Sequence, residues 1–372
     1  MAQATIVYVS SGGCDADDSG CKGSKRSPSA VYSYQVQGGA VVPNPPLNVD
    51  VSGLPAWLTV KEAPDIKCMY ATLADTNQVR VLQGTGSAAS RFEPIQTIPS
   101  VGLTPVFATL SRAEDILLVA NYNGADDPEG AGVAAFHIKP DCKLALSSSI
   151  GHTGSSVDAV RQVQAHTHGL VASRRNDFVY AFDLGMDKIF TYQLRNGQLQ
   201  RRAQVQALAA SGPRHGVEHP SLPILYVICE LGNIVLVYQE HEDGRLILRQ
   251  RLTIELEDES SKSAEIIITK SGKHLYTSTR GEKESSNIVT VFDVLENGHL
   301  KEIQHIEAPF YPRGMTLLHQ DSLLLVAGQS QGDMAVYTVA SEGMLTQKYK
   351  IRQGLPPNPA AFAVLQDPLA EF

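Results

Sequence analysis

The feature that most constrains this sequence is a short β-type segment that occurs seven times along the chain. The segments are TIVYVSS, KCMYATL, ILLVANY, FVYAFDL, ILYVICE, HLYTSTR and LLLVAGQ. Equivalent positions in them, which we call the anchor residues, are Tyr8, Tyr70, Leu118, Tyr180, Tyr226, Tyr276 and Leu325. Successive anchors are separated by 62, 48, 62, 46, 50 and 49 residues. A period of about 50 residues with β-branched and aromatic strands is typical of a β-propeller built from four-stranded blades.

Each repeat carries the signals of four strands. After the anchor comes a strand with alternating apolar residues, such as KIFTYQL, then a turn such as RNGQL, and then a weaker strand such as ILRQRLTI. A further apolar segment precedes every anchor except the first, and the C-terminal segment Asn358–Pro368 supplies the missing one. Pairing of that segment with the strand that begins at Thr5 would close the ring and leave no open edge. We therefore predict an all-β, seven-bladed β-propeller of four-stranded antiparallel blades, forming a single domain over residues 1–372.

Composition and charge restrict the range of partners. The 372 residues carry a formal net charge of -8 without a run of Lys or Arg, so we predict no binding to nucleic acid. The N-terminus lacks a secretory signal pattern, and no apolar run approaches the roughly 20 residues of a membrane span. We predict no membrane association and a cytoplasmic location.

The five cysteines form neither a CxxC pair nor a Cys/His cluster with zinc spacing. We therefore predict reduced thiols, no metal site and no cofactor. A disulfide between Cys14 and Cys21 is the weaker alternative, since it would require an oxidising environment.

Counting along the repeats brings a set of polar side chains to one end of the ring. Twelve residues before the anchors, from the second repeat on, the chain has Leu58, Val106, His168, Arg214, Ala264 and Arg313. Four residues after the last three anchors it has Glu230, Arg280 and Gln329. Antiparallel neighbours place the start of one strand beside the end of the next, so both sets should lie at one mouth of the ring. Asn121, His215 and Glu265 are expected near the same mouth.

Arginines gathered with a histidine and a glutamate suit an anionic substrate that also needs a proton moved. Arginine pairs with carboxylate or phosphate in a bidentate manner, and a positively charged pocket stabilises an oxyanion. A Glu or His whose pKa lies near neutrality can act as general base or acid. The structural alternative is that Arg214 and Glu230, which belong to one repeat, only pair with each other. The sequence contains no GxSxG, phosphate-loop or dinucleotide motif.

Four long phrases resemble successive blades of one known family. They are THGLVASRRNDFVYAFDLGMDKIFTYQL, GPRHGVEHPSLPILYVICELGNIVLVYQ, SAEIIITKSGKHLYTSTRGEKESSNIVTVFDV and FYPRGMTLLHQDSLLLVAGQSQGDMAVYTV. The family is the seven-bladed lactonases, which include propeller-type 6-phosphogluconolactonases and fungal carboxy-cis,cis-muconate cyclases. The resemblance implies a catalytic mouth made of His168 in the HG motif, Arg214 in the PR motif, Glu230 and Arg280. We predict that Arg313, Glu265, Asn121 and His215 bind the substrate.

These observations lead to a functional hypothesis with two alternatives. The chain would be a metal-independent lactonase that hydrolyses the lactone of an anionic sugar acid, similar to 6-phosphogluconolactone. Arg214 and Arg280 would hold the anion, while Glu230 and His168 would transfer protons. One alternative is a carboxy-cis,cis-muconate cyclase-type isomerase acting on a dicarboxylate, and the other is a noncatalytic propeller that binds a protein partner. The oligomeric state is left open.

Three insertions interrupt the repeats and are predicted to affect substrate choice. They are Cys14–Ser29, residues 125–131 and residues 147–164. The first replaces a usually short loop, and we expect the other two to crown the same mouth or its edge.

Overall fold

The computed structural model describes residues 5–11, 30–37, 40–63, 65–85, 91–123, 132–256, 258, 260–351, 355–356 and 358–365. Within these ranges the chain forms seven four-stranded antiparallel sheets, as the sequence predicts. The innermost strands of adjacent sheets contact one another around a closed ring. The fold is therefore a seven-bladed propeller, and the extent of a single domain over residues 1–372 stays a prediction.

The blades follow the order of the chain, except that the last strand is the innermost strand of the first blade. Blade 1 contains β1 (Thr5–Ser11), β2 (Ala30–Gln37), β3 (Ala40–Asp50) and the C-terminal β28 (Pro359–Leu365), and blade 2 contains β4 (Pro55–Ala63), β5 (Ile66–Leu73), β6 (Gln78–Thr85) and β7 (Arg91–Pro99). Blade 3 contains β8 (Leu103–Leu110), β9 (Ile116–Asn123), β10 (Val133–Ile138) and β11 (Leu144–Ile150). Blade 4 contains β12 (Thr167–Ala172), β13 (Phe178–Asp183), β14 (Lys188–Arg195) and β15 (Gln198–Gln206).

Blades 5 to 7 have the same four-stranded plan. Blade 5 contains β16 (Pro213–Glu218), β17 (Ile224–Cys229), β18 (Ile234–Glu240) and β19 (Leu246–Thr253). Blade 6 contains β20 (Lys262–Ile268), β21 (His274–Arg280), β22 (Ile288–Val294) and β23 (Leu300–Glu307). Blade 7 contains β24 (Pro312–Leu318), β25 (Leu323–Gly328), β26 (Asp333–Val339) and β27 (Leu345–Ile351). A short 3-10 helix lies at Glu284–Ser286. Among the described residues, no helix has the length and apolar character needed to cross a membrane.

The seam between the chain ends is a regular antiparallel pairing. Val7 lies opposite Val364 and Tyr8 opposite Ala363, and the amide of Ala361 donates to Ser10 Oγ at 3.0 Å. The predicted closure by the C-terminal strand is confirmed. Because β28 covers the edge of β1, the first blade has no unpaired inner edge there.

The core is divided among the interfaces between blades. The described residues form seven hydrophobic clusters, each shared by two neighbouring blades. One cluster packs Tyr34 of the first blade against Leu325 and Val336 of the last. Side-chain packing therefore closes the ring together with the backbone pairing of β1 and β28. All seven anchor residues are buried.

Hydrogen bonds made by the anchor tyrosines explain why the repeat favours tyrosine at this position. Tyr70, Tyr226 and Tyr276 each extend the hydroxyl to a backbone carbonyl in the outer turn of the next blade. The acceptors of Tyr226 and Tyr276 are the Gly298 and Gly343 carbonyls, at 2.9 and 3.0 Å. A buried tyrosine that satisfies its hydroxyl in this way joins apolar packing to blade registration.

The prediction of reduced thiols is wrong for two cysteines. Cys68 of β5 forms a disulfide with Cys142, which lies in the turn before β11 of the next blade. The partners are 74 residues apart, and their repeats do not predict the pairing because only the ring brings them together. Cys229 is free and buried, whereas Cys14 and Cys21 lie outside the described residues.

The disulfide should contribute measurably to stability. Since it closes a loop of 74 residues, we expect its reduction to lower the free energy of unfolding by about 2–4 kcal/mol. Urea denaturation with and without dithiothreitol measures the loss. A Cys68→Ser/Cys142→Ser variant is the control. If dithiothreitol destabilised that variant as much as the wild type, the loss of stability would not come from the Cys68–Cys142 disulfide.

Candidate active site

The inner strands carry a β-bulge where they begin, at the predicted mouth. The pairing with the second strand skips a residue between Thr167 and Gly169, between Pro213 and His215, and between Pro312 and Gly314. The skipped residues are His168, Arg214 and Arg313. A bulge redirects the side chain of the extra residue, so each of these functional groups leaves the alternation of its strand.

The glycine after two of these bulges is required by close packing of inner strands. A Cβ at Gly169 would lie 2.5 Å from the backbone oxygen of Arg214 in the next blade. A Cβ at Gly314 would collide with the backbone oxygen of Ala360. The HG and PRG motifs therefore describe a backbone shape as well as a functional residue.

The ends of the second strands complete the site, as the register count predicts. Glu230 follows β17 directly, and Arg280 is the last residue of β21. As whole residues both are 2% exposed, and Arg214 beside them is 1% exposed. Charged groups buried to this extent need partners, since their transfer from water is costly.

Glu230 is the centre of the charged contacts. Arg214 Nε and Arg161 Nη2 each lie 2.9 Å from its carboxylate, and Arg280 Nη2 lies 3.6 Å from Glu230 Oε2. The guanidinium of Arg280 also stands over the ring of Tyr311 at 5.1 Å from its centroid. The structural alternative for Arg214 and Glu230 is thus partly correct, because they do pair, but two further arginines share the same carboxylate.

The electrostatics of Glu230 disfavour its predicted role in proton transfer. Burial alone would raise its pKa, but the positive charges of Arg161, Arg280 and Arg214 outweigh burial and lower the pKa to about 2. Such a carboxylate stays ionised near neutral pH, and both of its oxygens already accept hydrogen bonds from arginines, so it is a poor general base. The role of Glu230 in proton transfer stays a prediction, and its low pKa favours a supporting role.

A second group of contacts forms a chain from Glu265 through two histidines. Glu265 Oε1 lies 2.9 Å from His215 Nδ1, and His215 Nε2 lies 3.2 Å from His168 Nδ1. Arg214 Nη1, which can only donate, is farther from His215 Nδ1 at 3.3 Å and donates to the Ala264 carbonyl. Because the nearer carboxylate only accepts hydrogen bonds, we assign the hydrogen to His215 Nδ1, and its Nε2 accepts one from His168. This order leaves the lone pair of His168 on Nε2.

The histidines are held neutral by their surroundings. Burial, followed by the charge of Arg214, lowers the pKa of His168 well below 6.5, and Arg313 and Arg280 act in the same direction. Burial also lowers the pKa of His215, although Glu265 opposes this effect. The rings of Trp57 and Phe107 pack against His215, with centroids 5.4 and 5.0 Å from that of the imidazole.

The remaining predicted residues lie at the same end of the ring. Arg313 is 5% exposed and close enough to lower the pKa of both histidines. Asn121 is buried, and its Nδ2 donates to the Ser100 carbonyl at 3.2 Å, so this nitrogen supports the loop. Glu265 and His215 also line a cavity of about 350 Å³ that continues along the inner strands.

Arg161 is a member of the charged group at the mouth that the register count missed. It lies in the loop 151–166 before β12, whereas residues 147–150 of the predicted insertion belong to β11. The contact with Glu230 confirms that this insertion reaches the mouth. No repeat position corresponds to Arg161, so only the expectation that the loop crowns the mouth pointed toward it. The insertions at Cys14–Ser29 and residues 125–131 lie outside the described residues.

The fold and the site together define a propeller enzyme that gathers a histidine pair and four arginines at one mouth. Over the ranges that the structure covers, no group of three or more His, Cys, Asp or Glu residues could hold a metal ion. The family model described as "Lactonase, 7-bladed beta-propeller" matches residues 20–357. The chain belongs to this family, and its class is that of a lactonase-type enzyme.

Individual relatives agree with this assignment. The chain is similar to a 6-phosphogluconolactonase of Bacillus subtilis, with 25% identity over 252 residues that cover 66% of this chain and 69% of the relative. It is similar to the 6-phosphogluconolactonase of Cronobacter sakazakii, with 33% identity over 214 residues that cover 55% of this chain and 63% of the relative. The solved periplasmic gluconolactonase of Pseudomonas aeruginosa has the same fold, with a TM-score of 0.83, 22% identity and coverage of 98% of this chain and 100% of that structure.

Proposed function

We propose that this protein hydrolyses the lactone of an anionic sugar acid of the 6-phosphogluconolactone class, without a metal ion or cofactor. The observation that carries the proposal is the chain Glu265–His215–His168 ending beside buried arginines. It offers a neutral imidazole lone pair at a site of positive charge. Such a combination suits attack of water on an ester carbonyl whose oxygen becomes negative.

The balance of charge favours a doubly charged ligand. Arg161, Arg214, Arg280 and Arg313, which we call the arginine cluster, bring four positive charges. The carboxylates of Glu230 and Glu265 in the contacts described above bring two negative charges. The surplus of two positive charges favours a dianion, such as a phosphate monoester, over a neutral sugar lactone.

In the proposed reaction His168 Nε2 takes a proton from water as the water oxygen attacks the lactone carbonyl carbon. The carbonyl electron pair moves onto its oxygen, which the arginine cluster stabilises. When the carbonyl re-forms, the bond to the ring oxygen breaks and His168 returns the proton to that oxygen. One water is consumed and a hydroxy acid is formed. The low pKa of His168 makes its protonated form a good acid for the second step.

This assignment changes the predicted roles of three residues. Glu230 holds Arg214 and Arg280 in place and does not move a proton. His215 and Glu265 fix the tautomer and orientation of His168 and do not contact the substrate. Positioning of this kind resembles the role of the carboxylate in a hydrolase triad, where the acid orients the imidazole.

The test is acid release from a matched set of substrates by enzyme treated with a metal chelator. The set contains 6-phosphoglucono-δ-lactone, glucono-δ-lactone and 3-carboxy-cis,cis-muconate, the last followed by loss of ultraviolet absorbance. We expect turnover of the phosphorylated lactone to be highest and unaffected by chelation. Turnover of the muconate alone would transfer the assignment to the cyclases, and sensitivity to the chelator would refute metal independence. Family membership favours an enzyme over a noncatalytic binding module.

The pH profile should report the low pKa of His168. Since protonation removes the base, kcat/KM should fall on the acid side only below pH 6.5, the ordinary pKa of histidine. Replacing Arg313 by Gln removes one positive neighbour and should raise the pKa of His168. The acid limb of Arg313→Gln is therefore expected at higher pH than that of the wild type. An acid limb at or above pH 6.5 in the wild type would contradict the assignment of His168 as the base.

A further inference from the structure

Arg161 differs from the other three arginines of the cluster in its place and in its exposure. Its side chain is 20% exposed, whereas those of Arg214 and Arg280 are 1% and 3% exposed. It reaches the mouth from the loop 151–166 and not from a blade strand. Arg161 is therefore the outermost of these cations and the one that an arriving ligand meets first.

The loop holds Arg161 in a defined position. His152 Nδ1 lies 2.7 Å from the buried carboxylate of Asp183, and Ser156 Oγ donates to Asp187 at 2.6 Å. Gln162, next to Arg161, is fully buried and donates to the Leu184 carbonyl at 2.8 Å. These three ties fix both ends of the segment and its middle, so the guanidinium is already ordered before a ligand binds.

The backbone next to Arg161 is also fixed locally. Asp158 Oδ1 accepts hydrogen bonds from the amides of Val160 and Arg161, both at 2.9 Å. This side-chain cap forms a turn that directs Arg161 inward, while Val157, Val160 and Val163 remain exposed. The turn presents the guanidinium at the mouth and keeps the apolar residues outside.

The hydrogen bonds of the guanidinium leave capacity for a ligand. Arg161 Nη2 contacts Glu230 Oε1 at 2.9 Å and the Tyr122 hydroxyl at 3.2 Å. Arg161 Nε is buried and has no hydrogen-bond partner among the residues that the structure describes. Nε has no accessible surface, so a ligand cannot contact it, but Nη1 makes no hydrogen bond among the described residues and is not buried. A bound oxyanion can therefore engage Nη1.

The ring of Tyr122 separates Arg161 from the proposed base His168. The Tyr122 ring packs edge to face on His168 with centroids 5.7 Å apart, and Arg161 lies at the hydroxyl of that ring. Arg161 is thus one aromatic ring farther out than the imidazole. In a phosphorylated six-carbon lactone, the phosphate is at the opposite end of the carbon chain from the carbonyl.

We propose that Arg161 binds the phosphate monoester of the substrate and so sets a preference for phosphorylated over unphosphorylated lactones. The proposal rests on the proposed lactonase function and adds the residue that recognises the substrate's second charge. Arginine suits this role because its planar fork pairs with two phosphate oxygens. Glu230 keeps Arg214 and Arg280 as partners when the ligand engages Arg161.

The decisive variants are Arg161→Gln, which removes the charge, and Arg161→Lys, which keeps the charge but loses the fork. We expect kcat/KM for 6-phosphoglucono-δ-lactone to fall roughly 10- to 100-fold in Arg161→Gln, mainly through KM, with a smaller loss in Arg161→Lys. The value for glucono-δ-lactone should change less than about threefold. Arg202→Gln, which alters an exposed arginine that contacts Gln193, is the matched control and should leave both values unchanged.

Binding of the products provides a readout that does not depend on turnover. Calorimetry should show that 6-phosphogluconate binds the wild type more tightly than gluconate, and that Arg161→Gln removes most of this difference. Equal losses for both lactones, with unchanged discrimination between the two products, would overturn the phosphate role and leave Arg161 as a structural cap. A different outcome is a wild type that opens neither lactone but binds 6-phosphogluconate, with that binding lost in Arg161→Gln. This result would refute the lactonase function and support the anion site alone.

Discussion

Replacement of His168 by Gln should lower kcat by roughly 10²- to 10⁴-fold, the range that a positioned general base contributes. Glutamine retains a hydrogen-bonding group toward His215 but cannot accept and return a proton. The neighbouring charges are unchanged, so substrate affinity should remain within a few-fold of the wild type. Steady-state kinetics on 6-phosphoglucono-δ-lactone measures the separate effects on kcat and KM.

Two comparisons make the result specific. His241→Gln alters an exposed histidine near Asp243 and should leave kcat unchanged. Glu265→Gln should give a smaller loss than His168→Gln, because it disturbs the tautomer of His215 and removes no reacting group. If His168→Gln kept wild-type turnover, the assignment of the base would be wrong, and the ionised Glu230 would have to be reconsidered.

The sequence predicts the architecture well because each repeat contains its own evidence of strand order. The anchors, the C-terminal strand of the first blade and the shared mouth of His168, Arg214, Glu230 and Arg280 follow from spacing alone. The bulges also have a signal in the sequence once the structure is known, because Gly169 and Gly314 lie where inner strands approach closely. Periodicity therefore locates the residues of the candidate site before their chemistry is considered.

The protonation behaviour of the site could not be predicted in the same way. The low pKa of Glu230 depends on Arg161, which comes from a loop with no counterpart in the other repeats. The Cys68–Cys142 disulfide likewise joins neighbouring blades across 74 residues. Spacing within a repeat describes neither contact, because both depend on how separate segments meet in the closed ring. The position of a residue at the mouth can therefore be predicted from spacing, whereas its protonation depends on contacts that spacing does not describe.

The roles that we propose for His168 and Glu230 differ and give the site two separable properties. His168 is a neutral group whose loss removes a proton acceptor but no buried charge. Glu230 is the negative charge that several buried guanidinium groups share. Removing the first should therefore affect turnover, whereas removing the second should affect the fold as well.

Replacement of Glu230 by Gln should destabilise the protein by about 3–5 kcal/mol, the cost of breaking a buried ion pair by removing one partner. Arg214 and Arg280 would then be buried beside each other without the carboxylate that separates their charges. The pKa of Arg214 is already lowered to about 10, chiefly by burial and then by Arg280, even with Glu230 present. Urea denaturation at neutral pH measures the loss, and Glu93→Gln, at an exposed pair with Arg91, should change stability by less than about 0.5 kcal/mol.

The lowered pKa of Glu230 predicts how the difference in unfolding free energy between the wild type and Glu230→Gln depends on pH. The pKa of Glu230 is lowered from 4.5 to about 2 in the folded state, so its contribution is fully present above pH 4.5. It is lost as the pH falls from 4.5 toward 2, where the folded protein must also bind the proton. The stabilities of wild type and variant should therefore converge on acidification over this range. A variant with the wild-type denaturation midpoint and greatly reduced kcat would instead show that Glu230 acts in the reaction, because a purely supporting carboxylate cannot be removed from three arginines without cost to the fold.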